Sequence, residues 1–493
     1  MEDKALPGVV LTPDGHSRRV WVMDPWLLRL SCVLAALLLA PRAGAQACES
    51  ARPTDAAGAA GLSYGSAEVA FYDSASGLAR VHYALSGVHA PPESSTREAD
   101  VPDAIVVAAQ AADAAFDKYA ELGFQLPLGD ADSPCASNGD SDAVDIYVVN
   151  FSAADGQAVH DHCEAGPPVR CAGFVLVENN FPGGYADTEE GMRTVVPHEL
   201  FHLVQDGYDA EVERWWAEGS AQWAANQVYP ELRDLERFLP GYFDNPWRPL
   251  NVPPSGIITS FLYATAIWPV FLHERHDAAL VREIYEGFTG DGSSVLETTN
   301  LILQERGTSL AQEFLQFAAY NAATGERAQP GAGYRAAADY PLVELTPFAV
   351  SPGATLDEIA SGLGAFYYSV QSSSPLELSL TAAPERVAAL LLPLSDGQAL
   401  LSEATTLPAI LEGEGIVVVA GQSLSRTDAP FTLGAGTAKP PEPPQQVSDD
   451  DLGESGCSMG PAAPSRPRGL GAVLEIVVSL LGLARRSRLR KET

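Results

Sequence analysis

Two histidines four positions apart, with a glutamate beside the first, form the most distinctive chemical pattern in this chain. Residues 198–202 read His-Glu-Leu-Phe-His, within the apolar segment 195–204. On an α-helix His198 and His202 lie on one face, so both imidazoles can reach one metal ion at about 2.0–2.1 Å. Glu199 lies next to that face and can take a proton from water without binding the metal. The pattern predicts a metal site with a general base, and the alternative is a core helix whose histidines satisfy local hydrogen bonds.

A third ligand is needed, because a catalytic zinc ion keeps three protein ligands and one open position. Fifteen residues separate His202 from Glu218, which leaves room for a turn and an antiparallel return helix. Glu211 and Glu213 compete for the role, and Glu218 could instead be a solvated helix residue. No third histidine follows His202 at a ligand spacing. We therefore expect one catalytic Zn²⁺, held by His198, His202 and one of these glutamates.

The surroundings of these ligands lead to two further expectations. Metal-bound histidines usually donate their other ring N–H to a partner, and Gln222, one turn after Glu218, is a candidate, with a plain surface glutamine as the alternative. Pro197 directly precedes His198, and proline is tolerated in the first turn of a helix but kinks the interior. The metal helix therefore either begins near Thr194, as its N-cap, or bends at Pro197.

The Glu-Gly-x-Ala sequence that begins at Glu218, following His-Glu-x-x-His, resembles the gluzincin zinc peptidases. The resemblance implies that this glutamate is the third ligand and that a downstream Tyr or His stabilises the oxyanion. Tyr263 is our choice for that catalytic role, with Tyr208 and His273 as rivals. The resemblance also implies that the strand at 173–178 lines the cleft and binds extended substrate by β-addition.

A wider resemblance covers residues 70–330. The segment 171–181, the metal-binding motif and the Trp-Trp-Ala-Glu-Gly sequence at 215–219 are similar to a group of inferred myxobacterial metalloproteases with a C-terminal sorting tail (MYXO-CTERM). The end of this chain resembles that tail, with Gly-Cys-Ser around Cys457, a Pro/Ala/Ser spacer, an apolar run at 469–484 and an arginine cluster. The resemblance implies export, processing near Cys457 and attachment to the cell surface. An ordinary membrane anchor would give nearly the same location.

The cysteines and the first 47 residues agree with export. Residues 1–47 contain an apolar run followed by Ala-x-Ala sites, as secretory signals do. Four cysteines lie between the two terminal segments, which suits two disulfides in an exported chain. Cys163 and Cys171 flank a short loop and are the natural local pair, which leaves Cys48 with Cys135 by subtraction.

The strand and helix patterns predict an α+β protein. Alternating strands precede a helix at 102–122, two more strands follow, and the pattern is mainly helical over 194–325. This order predicts a zincin-like catalytic domain, a mixed sheet plus a helical half, followed by a small all-β sandwich. The expected divisions are the signal region 1–47 (with Met23 as an alternative start), the catalytic domain 48–340, the sandwich 341–437, a flexible stalk 438–468 and the hydrophobic tail 469–493.

The chain is strongly acidic, which limits its partners. It has 30 Lys and Arg against 64 Asp and Glu, a formal net charge of −34. Nucleic acid is excluded as a partner, because phosphate contacts need a basic stripe. An Asp-rich loop at 129–145 makes Ca²⁺ a secondary expectation, but its spacing is not that of an EF-hand, and a solvated acidic turn is favoured.

Taken together, these patterns favour an exported, envelope-attached zinc endopeptidase that acts as a monomer on extracellular protein or peptide. A zinc aminopeptidase of the same clan would need an acidic pocket for the substrate's amino terminus, and the sequence has no motif of that type. A surface binding or adhesion protein with a non-catalytic zincin fold is the alternative from another class. The intact Glu199 argues against it, because a structural zinc site needs no general base.

Overall fold

The computed structural model describes residues 51–56, 58–129, 141–151, 154–164, 166–255 and 260–437, and the backbone of a hairpin of β1 (Val9–Leu11) and β2 (Ser17–Arg19). Apart from this hairpin, the predicted signal region lies outside the described residues. So do the Cys48–Cys135 pair, most of the Asp-rich loop, the stalk and the tail. Within the described residues, no helix is long and apolar enough to cross a membrane.

A five-stranded mixed sheet forms the first half of the described chain. Its strands are β3 (Val69–Asp73), β4 (Ala79–Ala84), β5 (Val144–Val149), β6 (Gly156–Glu164) and β7 (Arg170–Glu178). They lie in the order β3-β4-β5-β7-β6, with β4, β5 and β7 parallel and with β3 and β6 as antiparallel edges. Helix α1 (Asp103–Glu121), which was predicted at 102–122, makes the crossover between β4 and β5.

Helices fill the middle of the chain. The two longest are α2 (Thr188–Asp206) and α3 (Arg214–Val228), which pack against each other as an antiparallel pair. The shorter ones are α4 (Asp234–Phe238), α5 (Pro240–Phe243), α6 (Ser260–Ala264), α7 (Ile267–Arg275), α8 (Ala278–Glu286), α9 (Val295–Glu305) and α10 (Leu310–Ala322). The mainly helical pattern predicted for this region is confirmed.

Helix α2 begins well before Thr194, so Pro197 lies in the helix interior, as the second sequence-based alternative required. Asp187 is its N-cap, and the Asp187 carboxylate accepts the amide of Glu190 at 2.9 Å. The predicted N-cap Thr194 is wrong, because that residue lies inside the helix and its hydroxyl donates to the carbonyl of Glu190. Pro197 is also interior, and its carbonyl accepts the hydroxyl of Tyr119 from α1 at 2.6 Å.

The sheet is covered on both faces. Helices α1 and α2 pack on one face, and residues 51–67, called the amino-terminal segment below, pack on the other. Strand residues alternate between these two cores, as the period of two requires. The helix-covered face includes Val81, Ile146, Val148, Val175 and Val177, and the opposite face includes Tyr147, Val149, Phe174 and Leu176.

The last third of the described chain folds into a β-sandwich, as predicted. The strands are β8 (Thr346–Pro347), β9 (Thr355–Ser361), β10 (Ala365–Thr381), β11 (Val387–Ser395), β12 (Gln398–Ala399), β13 (Thr405–Thr406), β14 (Ala409–Gly421) and β15 (Asp428–Thr437). The long strand β10 pairs with β14 over residues 365–378 and with β15 over residues 376–381, so it lies between these two strands. The fold is therefore α+β, as expected.

One face of the sandwich shares a hydrophobic core with the helices, and the sandwich has a second core of its own. In β14, Val417 and Val419 point into the sandwich, whereas Ile416, Val418 and Ala420 belong to the large core built around the helices. Backbone hydrogen bonds also join the two parts, from the amide of residue 365 to the carbonyl of residue 246 and from the amide of residue 250 to the carbonyl of residue 363. The two parts are continuous in packing.

A buried arginine fixes the amino-terminal segment to the sheet. The Arg52 side chain is fully buried, with its guanidinium 2.5 Å from Asp145 of β5 and 2.7 Å from Asp161 of β6. Asp145 also contacts His82, which stacks on Tyr147. The register of β6 with β7 shifts at Asp161. The ion pair therefore stabilises the bulge in the edge strand.

A disulfide joins β6 to β7 next to this bulge. Cys163 and Cys171 are opposite each other in the ladder, with their Cα atoms 4.0 Å apart. The predicted local pair is therefore confirmed. The disulfide and the ion pair of Arg52 both hold the edge strand against the rest of the sheet.

Replacement of Arg52 by methionine should destabilise the protein strongly. The free energy of unfolding should fall by about 3–5 kcal/mol, because Asp145 and Asp161 would stay buried without their counter-charge. Urea unfolding measures this loss. The control is Lys118→Met, which breaks an exposed pair with Glu121 and should cost less than about 1 kcal/mol. Equal losses of unfolding free energy in the two variants would show that the buried ion pairs stabilise the protein no more than the exposed pair does.

Candidate metal centre

Helix α2 places the two histidines of the motif side by side. The ring centroids of His198 and His202 are 4.8 Å apart at 81°, and their Nε2 atoms are 3.2 Å apart. His198 is buried and His202 is half-buried. Leu200 and Phe201, between them in sequence, are fully buried in the core. The spacing of four therefore brings both imidazoles to the side of the helix that faces α3.

Helix α3 returns antiparallel to α2 and brings Glu218 to the histidines. The Glu218 Oε2 atom lies 3.5 Å from His198 Nε2 and 3.7 Å from His202 Nε2. The competing glutamates lie elsewhere, since Glu213 accepts a backbone amide at the start of α9 and Glu211 is exposed. The structure thus brings together the three residues that we proposed as ligands from the sequence.

The three ligand atoms fit the geometry of zinc. Ligand bonds of about 2.0–2.2 Å in a tetrahedron separate the ligand atoms by about 3.3–3.6 Å. The separations here are 3.2, 3.5 and 3.7 Å. Two imidazoles and one carboxylate form the donor set of catalytic zinc sites, which keep the fourth position open. The cluster therefore fits a catalytic zinc ion.

A second cluster of residues of the types that bind metals lies within the described residues, but its cysteines form a disulfide. His160 lies near Cys163 and Cys171. The two sulfurs are joined in a disulfide, and a metal ligand must be a thiolate. This group therefore offers no soft-metal site in the oxidised protein.

Burial and neighbouring charges set the protonation of the ligand cluster. Burial raises the pKa of the Glu199 carboxyl, and the two histidines oppose that rise only in part. Burial lowers the pKa of His202, but the hydrogen bond and charge of Glu218 outweigh burial and raise that pKa to about 9. Burial also acts to raise the pKa of Glu218, yet the hydrogen bonds from His198 and His202 lower it overall. Glu218 is therefore an anion, as a metal ligand must be.

A glutamine on the same helix orients His202. The Nδ1 atom of His202 lies 2.9 Å from Gln205 Oε1, and Gln205 Nε2 donates to a carbonyl of α3 and to Ser220 Oγ. Such a partner fixes the tautomer that leaves Nε2 for the metal. The predicted partner Gln222 is wrong, because its amide donates to Asp234 Oδ2 at 2.8 Å.

Of the three predicted oxyanion donors, Tyr263 is the one that lies beside the histidines. Its ring centroid lies 5.6 Å from that of His198, and its ring packs on Phe238. Burial, together with the charges of two nearby glutamates, raises the pKa of Tyr263, so the hydroxyl remains a donor. The rivals have other partners, since Tyr208 accepts a backbone amide after α1 and His273 accepts an indole N–H from α3.

The general-base candidate lies against a strand that the sequence did not reveal. Glu199 Oε2 accepts the amide of Ala158, in β6, at 2.8 Å. The prediction that the strand at 173–178 binds substrate by β-addition is wrong, because β7 is hydrogen-bonded on one side to β5 and on the other to β6. Strand β6 is the edge beside Glu199. Its residues, Gly-Gln-Ala-Val-His-Asp-His-Cys-Glu, lack the apolar alternation that marks a strand.

Comparisons with known proteins give little. No protein-family model and no curated protein matches the chain. Among solved structures, PliG of Aeromonas hydrophila, a periplasmic inhibitor of g-type lysozyme, is 11% identical with a TM-score of 0.15, covering 19% of this chain and 96% of that one. PliG of Salmonella Typhimurium is 12% identical with a TM-score of 0.14, covering 18% and 98%. These scores are too low to carry an argument about fold or function.

Replacement of Gln205 by leucine should weaken zinc binding. The imidazole of His202 would lose its orienting acceptor, and such losses reduce metal affinity by about 10- to 100-fold. Competition with a zinc chelator measures the affinity, and circular dichroism checks the fold. Gln222→Leu is the matched control, because that side chain contacts Asp234 and no ligand. A Gln205→Leu affinity equal to that of the control would contradict the assigned role.

Proposed function

We propose that the protein is a zinc-dependent peptidase that hydrolyses extracellular protein or peptide substrates. One observation carries the proposal: His198, His202 and Glu218 lie at the separations that zinc ligands have, and the charges of all three act on the buried Glu199 carboxyl. Three protein ligands leave one position for water and substrate. A purely structural zinc site has four protein ligands and no adjacent general base.

Each residue of the site has a definable part in peptide hydrolysis. A bound zinc ion would act as a Lewis acid and lower the pKa of a water molecule to about 7. Glu199 accepts a proton from that water and can return it to the leaving amine. The Tyr263 hydroxyl, on the side of His198, can donate to the oxyanion that develops on the scissile carbonyl. Gln205 keeps His202 in its ligand tautomer.

The edge strand supports a polypeptide as the substrate class. Among the described strands, β6 pairs with β7 alone, so its other edge offers backbone groups, apart from the Ala158 amide, to an added strand. Extended peptides bind sheet edges in this way. A peptide in that position would lie next to Glu199, because Ala158 of β6 contacts the Glu199 carboxylate. The substrate would therefore be an extended segment of protein or peptide.

Two alternatives remain as outcomes of experiment. A zinc aminopeptidase of the same clan would remove single residues from peptides with a free amino terminus and would spare those with a blocked one. A surface binding or adhesion protein would hold zinc without cleaving anything. The cell-surface location that we propose rests on the terminal segments of the sequence alone.

Glu199→Gln separates these possibilities. We expect one zinc per chain in both wild type and variant, because Glu199 is not a ligand, and cleavage of unfolded casein by the wild type alone. The loss in the variant should be at least about 100-fold, as for removal of a general base. Elemental analysis gives the zinc content, and release of casein fragments gives the activity.

Other results would redirect the assignment. Zinc in both proteins without cleavage by either would favour the binding protein. Release of amino-terminal residues only, from peptides with a free amino terminus, would favour the aminopeptidase. Folded wild-type protein without stoichiometric zinc would refute the metallopeptidase assignment.

Tyr263→Phe should lower kcat by about 100-fold, because one donor to the oxyanion is lost. Zinc content should not change, since the tyrosine is not a ligand. Steady-state cleavage of a fluorogenic peptide measures kcat and KM. The matched control is Tyr208→Phe, whose hydroxyl contacts a backbone amide away from the ligands. An unchanged kcat in Tyr263→Phe would leave the oxyanion donor to another group.

A further inference from the structure

The edge strand β6 contacts the general-base candidate directly. The Ala158 amide donates to Glu199 Oε2 at 2.8 Å. Alternate residues of β6 direct their backbone groups to opposite sides. The carbonyl of Val159 points toward β7, next to Gly173, so the Ala158 amide points away from β7. This hydrogen bond therefore replaces none of the backbone hydrogen bonds between β6 and β7.

Gly156, two residues earlier, leaves the space that Glu199 occupies. A Cβ atom at this position would lie 2.7 Å from Glu199 Cγ, 2.8 Å from Glu199 Oε1 and 2.5 Å from Val195 Cγ1. All three distances are too short for contact between unbonded atoms. Glycine is therefore favoured here by the side chains of Val195 and Glu199 and not by a turn.

Three anchors hold the rest of β6 in place. The disulfide of Cys163 joins it to β7, and Asp161 pairs with the buried guanidinium of Arg52. His160 Nε2 lies 3.1 Å from the carboxylate of Asp206, the last residue of α2. The strand is thus tied to the sheet, to the amino-terminal segment and to the end of the metal helix. Its distance from Glu199 is set by all three.

We propose that strand β6 positions the general base, with the Ala158 amide holding Glu199 Oε2 and Gly156 admitting the carboxylate. This inference rests on the proposed function. With Oε2 held by the amide, Oε1 is left to accept the proton. Ala158 and Gly156 are positioning residues, because they act through Glu199. An added substrate strand cannot use the Ala158 amide and must bind β6 through other outward groups.

Substitutions in β6 test the proposal by kinetics on the full chain. Ala158→Pro removes the amide, and proline is tolerated where an edge N–H faces away from the sheet. Gly156→Ala displaces the carboxylate. Both should lower kcat by about 10- to 100-fold, with KM within about twofold of wild type and with zinc retained. Ala158→Gly, the conservative variant, keeps the amide and should recover most of the kcat that Ala158→Pro loses.

Amide hydrogen exchange tests the contact without altering the strand. In Glu199→Ala, the Ala158 amide should exchange at least about tenfold faster than in the wild type, because its acceptor is gone. The Val159 amide, which faces β7, should not change. This measurement tests whether the Ala158 amide binds Glu199 even if Ala158→Pro does not fold. In that case the kcat of Gly156→Ala tests whether β6 positions the general base.

The opposing results are distinct. Unchanged exchange at Ala158, or wild-type kcat in both β6 variants, would overturn the proposal. A rise in KM with kcat intact would assign the strand to substrate binding instead. Wild-type protein that binds zinc but cleaves no peptide would refute the proposed peptidase, while the exchange result would still judge the contact between Ala158 and Glu199.

Discussion

The carboxylate of Glu218 is the charge on which the arrangement of the site depends. It lies within 4 Å of both imidazoles, and it comes from a different helix than they do. Two histidines with Nε2 atoms 3.2 Å apart would repel each other once protonated, and the anion offsets that repulsion. The position of the anion is fixed by the packing of α3 on α2. Gln205 links these helices directly, since it contacts His202 on one side and Ser220 on the other.

The sheet provides the second fixed frame. Its helix-covered face supports α2 from below, and the carbonyl of Pro197 is held by Tyr119 of α1. Its edge strand β6 contacts the Glu199 carboxylate of α2 through the amide of Ala158. The three candidate ligands are therefore positioned by contacts between helices, and the candidate general base is positioned by a contact between a helix and a strand. A shift of β6 would disturb the base without moving the ligands.

Much of this arrangement could be predicted from local patterns. The spacing of His198 and His202, the alanine-rich α1 and the short loop between Cys163 and Cys171 each carry their signal within a few residues. The α+β order followed from changes in hydrophobic period along the chain. Glu218 was selected by its distance from the motif and by a resemblance, and the structure places it beside both histidines.

The remaining features depend on contacts that no local pattern shows. Strand β6 is a polar strand that pairs with β7 alone among the described strands, so its residues lack the alternation of a buried strand. Arg52 is charged and looks solvent-exposed in sequence, yet it is enclosed by two aspartates from distant strands. Gln205 did carry a usable signal, since residues three apart on a helix are neighbours. Gln222, which was chosen from the sequence, lies on α3, whereas the partner of His202 lies on α2 with it.

The shared core between the sandwich and the helices bears on how such a protein can change over time. Strand β14 contributes Val417 and Val419 to one core and Ile416 and Val418 to the other. A detachable module has its own core and meets its neighbour through a modest polar interface. Here an exchange of the sandwich between relatives would expose apolar side chains on α10 and its neighbours. The two parts must therefore be inherited together, and substitutions in the sandwich strands constrain those permitted in the helices.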